Sequence, residues 1–299
     1  MRCSRPIKPP SWHPVNTKDL LKRGKETLAA KDVGAVDAEL LLAHVLGIQR
    51  MELHAKSIEI SEDDVEQYEH YLDRRLTGEP TQYIVGTAPF RYLEYQVGPG
   101  VLIPRPETEL LVDEVLHHIA SLPDPISIVD LGSGSGAIAI SIASETTGKK
   151  NVHVVAVEKS AEAAEWLNKN IASHDVNVRV VIHDAQSALE GVKCDVVVAN
   201  PPYVPTDAVL PTEVTREPAE ALFGGDVTGM VIPRAFIAAA ARLLKPGGFL
   251  AMEHGEHQEK AMHEALAEKF ERVRTHKDLN ERPRFTTACL LYTSDAADE

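Results

Sequence analysis

The sequence predicts an α/β protein: a mostly parallel sheet covered by helices on both faces, with a small helical bundle ahead of it. Three observations carry this reading. Past Pro125, short apolar runs alternate with helical stretches, the pattern of strands buried on both faces. Before Thr77, leucines recur at helical spacing, as on the buried side of packed helices. The chain has 299 residues, 43% hydrophobic and 25% charged, enough for a large domain with an appendage.

Taken in order, residues 1–16 open with proline and basic residues and are expected to be a flexible tail. Residues 17–80 read as a helical domain. Leu20, Leu21 and Leu28 mark one helix, and Leu40, Leu41, Leu42, Val45 and Leu46 another, with Gly34 between them. Ser61 before Glu62, Asp63 and Asp64 has the form of an N-cap with acids in the first turn. That helix runs through Tyr68, Leu72 and Leu76 to Gly78. Residues 81–105 read as a β-hairpin connector. Tyr83-Ile84-Val85 and Tyr92 to Val97 are its strands, and Gly86, Gly98 and Gly100 its punctuation. Arg105, between Pro104 and Pro106, is held extended.

Residues 106–288 make the α/β domain. A helix is expected from near Glu107 to Ile119. Strands follow at Ser127 to Leu131, Val152 to Val157, Val178 to Ile182, Asp195 to Ala199 and Gly248 to Met252. Helices fall at Ala137 to Ser144, through Trp166 and Ile171, at Met230 to Leu244 and at Glu256 to Phe270. Arg272 to His276 and Arg284 to Ala288 are read as a final strand pair. Residues 289–299 do not continue the pattern and are expected to be a non-native or disordered tail.

Composition excludes several function classes. The formal charge is −14, which counts against a long nucleic-acid footprint, since that needs a basic surface. The three cysteines form no CxxC pair, so neither a zinc nor a redox motif is present. Cys194 lies in an apolar run and reads as a small core residue. No apolar run approaches the roughly 18 residues that span a bilayer. With no signal-like apolar stretch at the start, no membrane association and a cytoplasmic location are expected.

Three motifs carry chemistry. Asp130-Leu131-Gly132-Ser133-Gly134-Ser135-Gly136 lies where the first strand meets its helix. Glycines there allow a tight turn and close approach of backbone to a ligand. No Lys-Ser/Thr follows, so it is not a phosphate-binding P-loop. Glu158 closes the second strand, where a doubly wound fold sets a carboxylate against ribose hydroxyls. Asn200-Pro201-Pro202-Tyr203 closes the fourth strand. Its prolines stiffen the loop and remove backbone donors, leaving carbonyl acceptors. The Asn200 side-chain oxygen and the Pro201 carbonyl suit the two N–H bonds of a planar NH2 group. Tyr203 suits its flat face. Such a site recognises an amide or an exocyclic amine.

Together the glycine loop, the strand-end acid and the NPPY tetrapeptide resemble a class I S-adenosylmethionine-dependent methyltransferase acting on nitrogen. Three further stretches resemble the peptide chain release factor glutamine methyltransferases, the PrmC/HemK family. They are Asp37 to Gly47 (DAELLLAHVLG), Gly78 to Gly86 (GEPTQYIVG) and Leu102 to Glu109 (LIPRPETE). The resemblance spans roughly residues 17 to 288 and implies a Rossmann-like domain behind a helical substrate-recognition domain. It implies S-adenosyl-L-methionine as cofactor. It also implies methylation of the amide nitrogen of the glutamine in the Gly-Gly-Gln motif of class 1 release factors. By analogy, Gly132, Ser133, Gly134, Ser135 and Gly136 hold the methionine part of the cofactor, Glu158 its ribose, and Asp184 and Ala185 the adenine. Asn200 touches cofactor and substrate, and Pro201, Pro202 and Tyr203 the substrate; Asn200, Pro201 and Tyr203 are the catalytic set. No residue near the motif has the form of a strong general base. Two rivals are weighed. A nucleic-acid amino-group methyltransferase uses the same NPPY chemistry on adenine or guanine but requires a basic groove. A binding module that kept the fold requires loss of cofactor binding.

Overall fold

A computed structural model describes residues 16–55 and 58–292. Of the expected N-terminal tail, only Asn16 lies among them, and it is a cap: its side chain accepts from the Asp19 N–H at 2.9 Å. The chain divides into two compact units, one ending at Val85 and the other starting at Gly86.

The first unit holds α1 (Thr17–Ala29), α2 (Ala35–Val45), α3 (Glu52–Ala55), α4 (Glu62–Leu76) and α5 (Thr81–Val85). Its core is a cluster including Leu20, Leu28, Leu41, Leu42 and Leu72, all buried, gathered around the fully buried Tyr68. The Tyr68 hydroxyl donates to the Ala38 carbonyl at 3.1 Å, as a buried hydroxyl must find a partner. Gly24 on α1 faces that hydroxyl, and a β-carbon there would run into it. Ser61 caps α4 through a reciprocal capping box with Asp64. Gly34 separates α1 from α2 as its position suggests. Tyr83-Ile84-Val85 is a correction: these residues are helical, not a strand. The Tyr83 and Ile84 N–H groups both donate to the Pro80 carbonyl. Burial of Thr81, Tyr83 and Ile84 on the helical turn overrides the strand preference of β-branched and aromatic residues.

The second unit opens with the hairpin β1 (Thr87–Phe90) and β2 (Leu93–Gln96). This hairpin is built into its own unit rather than left as a linker. Tyr95 is fully buried, and its hydroxyl reaches the Ala137 carbonyl at 3.1 Å and Ser141 Oγ at 2.7 Å. A 3-10 turn (Pro106–Thr108) leads into α6 (Glu109–Ala120). There follow β3 (Ile126–Leu131), α7 (Ala137–Thr146), β4 (Val152–Glu158), α8 (Ala161–His174), β5 (Val178–Ile182) and β6 (Cys194–Ala199). After a long loop bearing the short α9 (Ala219–Leu222) come α10 (Val231–Leu243), β7 (Leu244–Glu253), α11 (Glu259–Leu266), β8 (Phe270–Lys277) and β9 (Pro283–Leu290). Several boundaries shift from expectation: β7 starts at Leu244 rather than Gly248, and β8 at Phe270 rather than Arg272. The Glu256 to Phe270 helix shrinks to α11. The last strand continues through Cys289 and Leu290, which pair with Phe249, Glu271 and Phe270, so these two residues belong to the fold rather than to a tail. Residues 293–299 of the expected tail lie outside the described residues.

The seven-stranded sheet has the order β5-β4-β3-β6-β7-β9-β8. The first five of these are parallel, and β9 is antiparallel to β7 and β8. Strand order reverses at β3, which lies between β4 and β6. Such a reversal opens a crevice beyond the carboxyl ends of the strands. The register sharpens this. Leu131 stands opposite Val157 on one side and Ala199 on the other, and Ala199 opposite Met252. The next residue along each strand is therefore level with its neighbours: Gly132, Glu158, Asn200 and Glu253. At about 4.8 Å between adjacent strands, four functional groups from four distant stretches fall in one row.

Candidate active site

A cavity of about 250 Å3 opens above this row. Gly132, Ser133, Gly134 and Ser135 line it, and Gly136 is not among its lining residues. Gly132, Gly134 and Gly136 all have positive φ, at 72°, 54° and 87°, the left-handed region that disfavours a side chain. They differ in surroundings. A β-carbon on Gly136 would run into Leu167 and Ile140, whereas one on Gly134 would meet nothing within 4 Å. Gly136 thus closes the packing of α7 on α8, and Gly134 turns bare backbone to the open cavity. Ser133 tightens the turn by donating from Oγ to the Asp130 carbonyl at 3.0 Å.

Glu158 is buried and anchors the loop. Its two carboxylate oxygens accept from the Gly134 N–H and the Ser160 N–H, both at 2.8 Å. Each carboxylate oxygen takes a second hydrogen bond, so capacity remains for a diol in the cavity. Across the mouth, Asp184 is exposed, with Oδ1 accepting from the Gln186 N–H at 2.8 Å. Ala185 is buried and lines the same cavity. His183 also lines it and is exposed.

Of the NPPY residues, Asn200 and Pro202 line the cavity, while Pro201 and Tyr203 are not among its lining residues. Pro201 is buried and Tyr203 half-buried. The Tyr203 hydroxyl donates to Glu253 Oε1 at 2.9 Å. Burial, with the Glu253 charge beside it, pushes the phenol well above its ordinary range, so it stays a donor. The Tyr203 carbonyl accepts from Gln258 Nε2 at 2.9 Å, and the same amide also donates to the Thr228 carbonyl. The loop beyond is tied by the Val204–Phe223 bridge. The tetrapeptide is held from below at several points, which fits a rigid recognition edge.

Sequence reasoning missed four residues here. Thr108 Oγ1 donates to Glu253 Oε2 at 2.6 Å, and Asn200 Nδ2 donates to Thr108 Oγ1 at 3.3 Å. Glu217, buried, takes Arg105 Nη2 at 2.6 Å and the Ile103 N–H at 3.0 Å. Gln258 is the loop clamp just described. Glu253 carried a legible signal: an acid closing the apolar run Phe249 to Met252 is costly to bury without purpose. Thr108 and Arg105 lie in the IPRPETE stretch, whose distinctiveness was legible but whose contacts were not.

Asp130 is fully buried, with neither carboxylate oxygen in a well-formed hydrogen bond and with Ser133 and the Ala139 backbone close enough to oppose the effect of burial. Burial pushes its carboxyl from 3.8 up to about 7. The unfolded chain releases this proton near pH 4, but the native state keeps it to about pH 7. Between those values the native state binds more protons, so this group's contribution to stability falls as pH rises. Asp130→Asn removes the titration. Its stability relative to the parent is therefore expected to be higher at pH 8 than at pH 5. Denaturant unfolding of both proteins at the two pH values checks this, and an equal difference at both would show that Asp130 does not titrate in this window.

Two family models match the chain: the PrmC N-terminal domain over residues 19–86 and the methyltransferase small domain over residues 107–223. The release factor glutamine methyltransferase of Mycolicibacterium smegmatis is 41% identical over 279 residues, covering 90% of this chain and 95% of the relative. That of Bifidobacterium longum is 40% identical over 274 residues, covering 84% of this chain and 91% of the relative. That of Streptomyces coelicolor is 40% identical over 263 residues, covering 84% and 89%.

Proposed function

This chain belongs to the release factor glutamine methyltransferase family, and from that premise we propose that it methylates the side-chain amide nitrogen (N5) of a glutamine in class 1 peptide chain release factors, using S-adenosyl-L-methionine. The observation that carries the reading is Asn200. It lines the same cavity as the glycine loop, one strand away, and Glu158, two strands away, with its NH2 group engaged by Thr108 and hence its oxygen free for an incoming N–H.

The residues suit the cofactor. Gly134 leaves room above the loop, and α7 begins at the cavity with no side-chain cap, so its N-terminal end favours an anionic group. Glu158 has acceptor capacity for ribose hydroxyls, and Ala185 leaves space for a flat ring. In this assignment Gly132 to Gly136 hold the methionine part, Glu158 the ribose, and Asp184 and Ala185 the adenine edge. The cofactor supplies an activated methyl group. The protein's task is alignment, because an amide nitrogen has its lone pair delocalised into the carbonyl. Asn200 Oδ1 and the Pro201 carbonyl would accept the two amide N–H bonds and fix the nitrogen at near-attack distance. They gain strength as positive charge builds on nitrogen in the transition state. Pro202 forms the cavity wall, and Tyr203 stiffens the loop through its bond to Glu253. The proton can leave after methyl transfer, so no strong base is required beforehand.

A release factor is met in the cytoplasm, which is the proposed setting. Among the described residues no helix is long and apolar enough to cross a membrane. A nucleic-acid substrate is disfavoured by the formal charge of −14. The test is methyl transfer from labelled cofactor to a purified class 1 release factor, beside its glutamine-to-alanine variant and a nucleic-acid control. Label on the wild-type factor alone is the expected result. Label on the nucleic acid, or equally on the alanine variant, overturns the substrate assignment.

A further inference from the structure

Two residues outside the recognised motifs meet beneath Asn200. Thr108 ends the 3-10 turn before α6, Glu253 ends β7, and both are buried, Glu253 completely. Glu253 receives the Thr108 hydroxyl on Oε2 at 2.6 Å and the Tyr203 hydroxyl on Oε1 at 2.9 Å. Thr108 Oγ1 in turn receives Asn200 Nδ2 at 3.3 Å. Resting on the reading of Asn200 given above, we propose that Glu253, acting through Thr108, is a positioning residue that holds the Asn200 amide with its oxygen turned to the substrate nitrogen.

Hydrogen-bond polarity sets the orientation of the Asn200 amide. An ionised carboxylate only accepts, and a hydroxyl has one proton to give. With Glu253 ionised, the Thr108 proton is committed to it, and Thr108 Oγ1 remains purely an acceptor. Only the NH2 end of the Asn200 amide can answer an acceptor. A half-turn of that amide would set Oδ1 against an oxygen with no hydrogen to offer, and would present NH2 to a substrate that also brings N–H. The amide of asparagine is nearly symmetric in shape, so sterics alone do not choose between these two orientations. The buried charge does.

The choice therefore depends on the state of Glu253. Once protonated, its hydroxyl can donate to Thr108, which frees the Thr108 proton for Asn200 Oδ1 and removes the preference. The groups facing Glu253 are Thr108 and Glu107 from the 3-10 turn, Tyr203 from the NPPY loop, and Arg284 from β9, with His254 next along β7. Burial pushes the Glu253 carboxyl from 4.5 up to about 7, with Glu107 adding to the rise and Thr108, Tyr203 and Arg284 opposing it. Burial also lowers the His254 pKa. Turnover is thus expected to climb as pH rises through about 7 and to level off above it.

The experiment measures kcat and KM for methyl transfer to a class 1 release factor across pH 6 to 9, for wild type, Thr108→Val, Thr108→Ser and Glu253→Gln. Each protein is also checked for thermal unfolding and cofactor binding. Thr108→Val keeps the shape but loses the hydroxyl, and should lower kcat about ten-fold, with KM and cofactor affinity nearly unchanged. Thr108→Ser restores the hydroxyl and should recover most of the loss. In Glu253→Gln the amide oxygen still accepts from Thr108 while its NH2 serves Tyr203, so turnover should persist with the rising limb near pH 7 gone. Serine as impaired as valine, wild-type kcat in Thr108→Val, or a rising limb that survives Glu253→Gln would each overturn the proposal. The Thr108 pair decides the matter if Glu253→Gln does not fold. Absence of transfer by the wild type overturns the functional reading itself and this inference with it. Transfer by the wild type with indifferent variants overturns this inference alone.

Discussion

Asn200→Ala is expected to lower kcat for glutamine methylation by about 10²–10³-fold, the usual cost of deleting a group that strengthens its hold in the transition state. Alanine leaves β6 and its pairing to β3 and β7 intact, because the side chain lies past the last paired residue, Ala199. It removes the acceptor proposed to face the substrate N–H and leaves Thr108 Oγ1 without its donor. In the proposed assignment cofactor binding rests mainly on the glycine loop, Glu158 and the residues after β5, so it should weaken only a few-fold. Steady-state kinetics with a release factor, together with calorimetric titration of the cofactor, separates the two. A variant that keeps a third or more of wild-type kcat would mean that Asn200 does not hold the reacting amide.

Gly136→Ala is expected to cost the fold itself about 2–4 kcal/mol. The position has φ of 87°, which burdens any side chain, and the new β-carbon would run into Leu167 and Ile140 between α7 and α8. Both of those side chains are buried, so neither has room to yield. For a unit of this size the loss corresponds to a fall in Tm of roughly 5–15 °C. Gly134→Ala makes the instructive contrast. Its φ of 54° also disfavours a side chain, but nothing lies within 4 Å of the new carbon. It should fold with a loss of about 1–2 kcal/mol and fail chiefly in cofactor affinity, because the carbon projects into space that the proposed assignment gives to the cofactor. Thermal unfolding without cofactor, followed by cofactor titration, reads both effects. Equal losses of stability in the two variants would show that packing against α8 does not distinguish these glycines.

Much of this protein is determined locally. The parallel strands are written as continuous apolar runs, and β5 falls on Val178–Ile182 as its pattern predicts. The glycine loop, Glu158 and Asn200 sit at strand ends because each motif directly follows an apolar run, and a parallel sheet gathers all such ends on one side. Ser61 announces its helix because a cap acts within three residues. These signals survive in the bare sequence because the physics behind them operates within a few residues of chain.

The rest was decided by tertiary packing. Tyr83 and Ile84 have strand-like side chains, yet both are helical and buried, Ile84 in the core of the N-terminal helices. Tyr203 has the chemistry to stack on a substrate, yet its hydroxyl is committed to Glu253 and its ring is not among the groups lining the cavity. Glu158 closes its strand where the sequence places a ribose ligand, and the fold hangs Gly134 and Ser160 from it. Thr108 and Glu253 are 145 residues apart, and nothing near either predicts the other. A hydrogen bond acts over about 3 Å, so its partners are chosen by which strand ends the sheet order brings together. That order is a property of the whole folded chain, whereas periodicity, capping and turn chemistry belong to the segment that carries them.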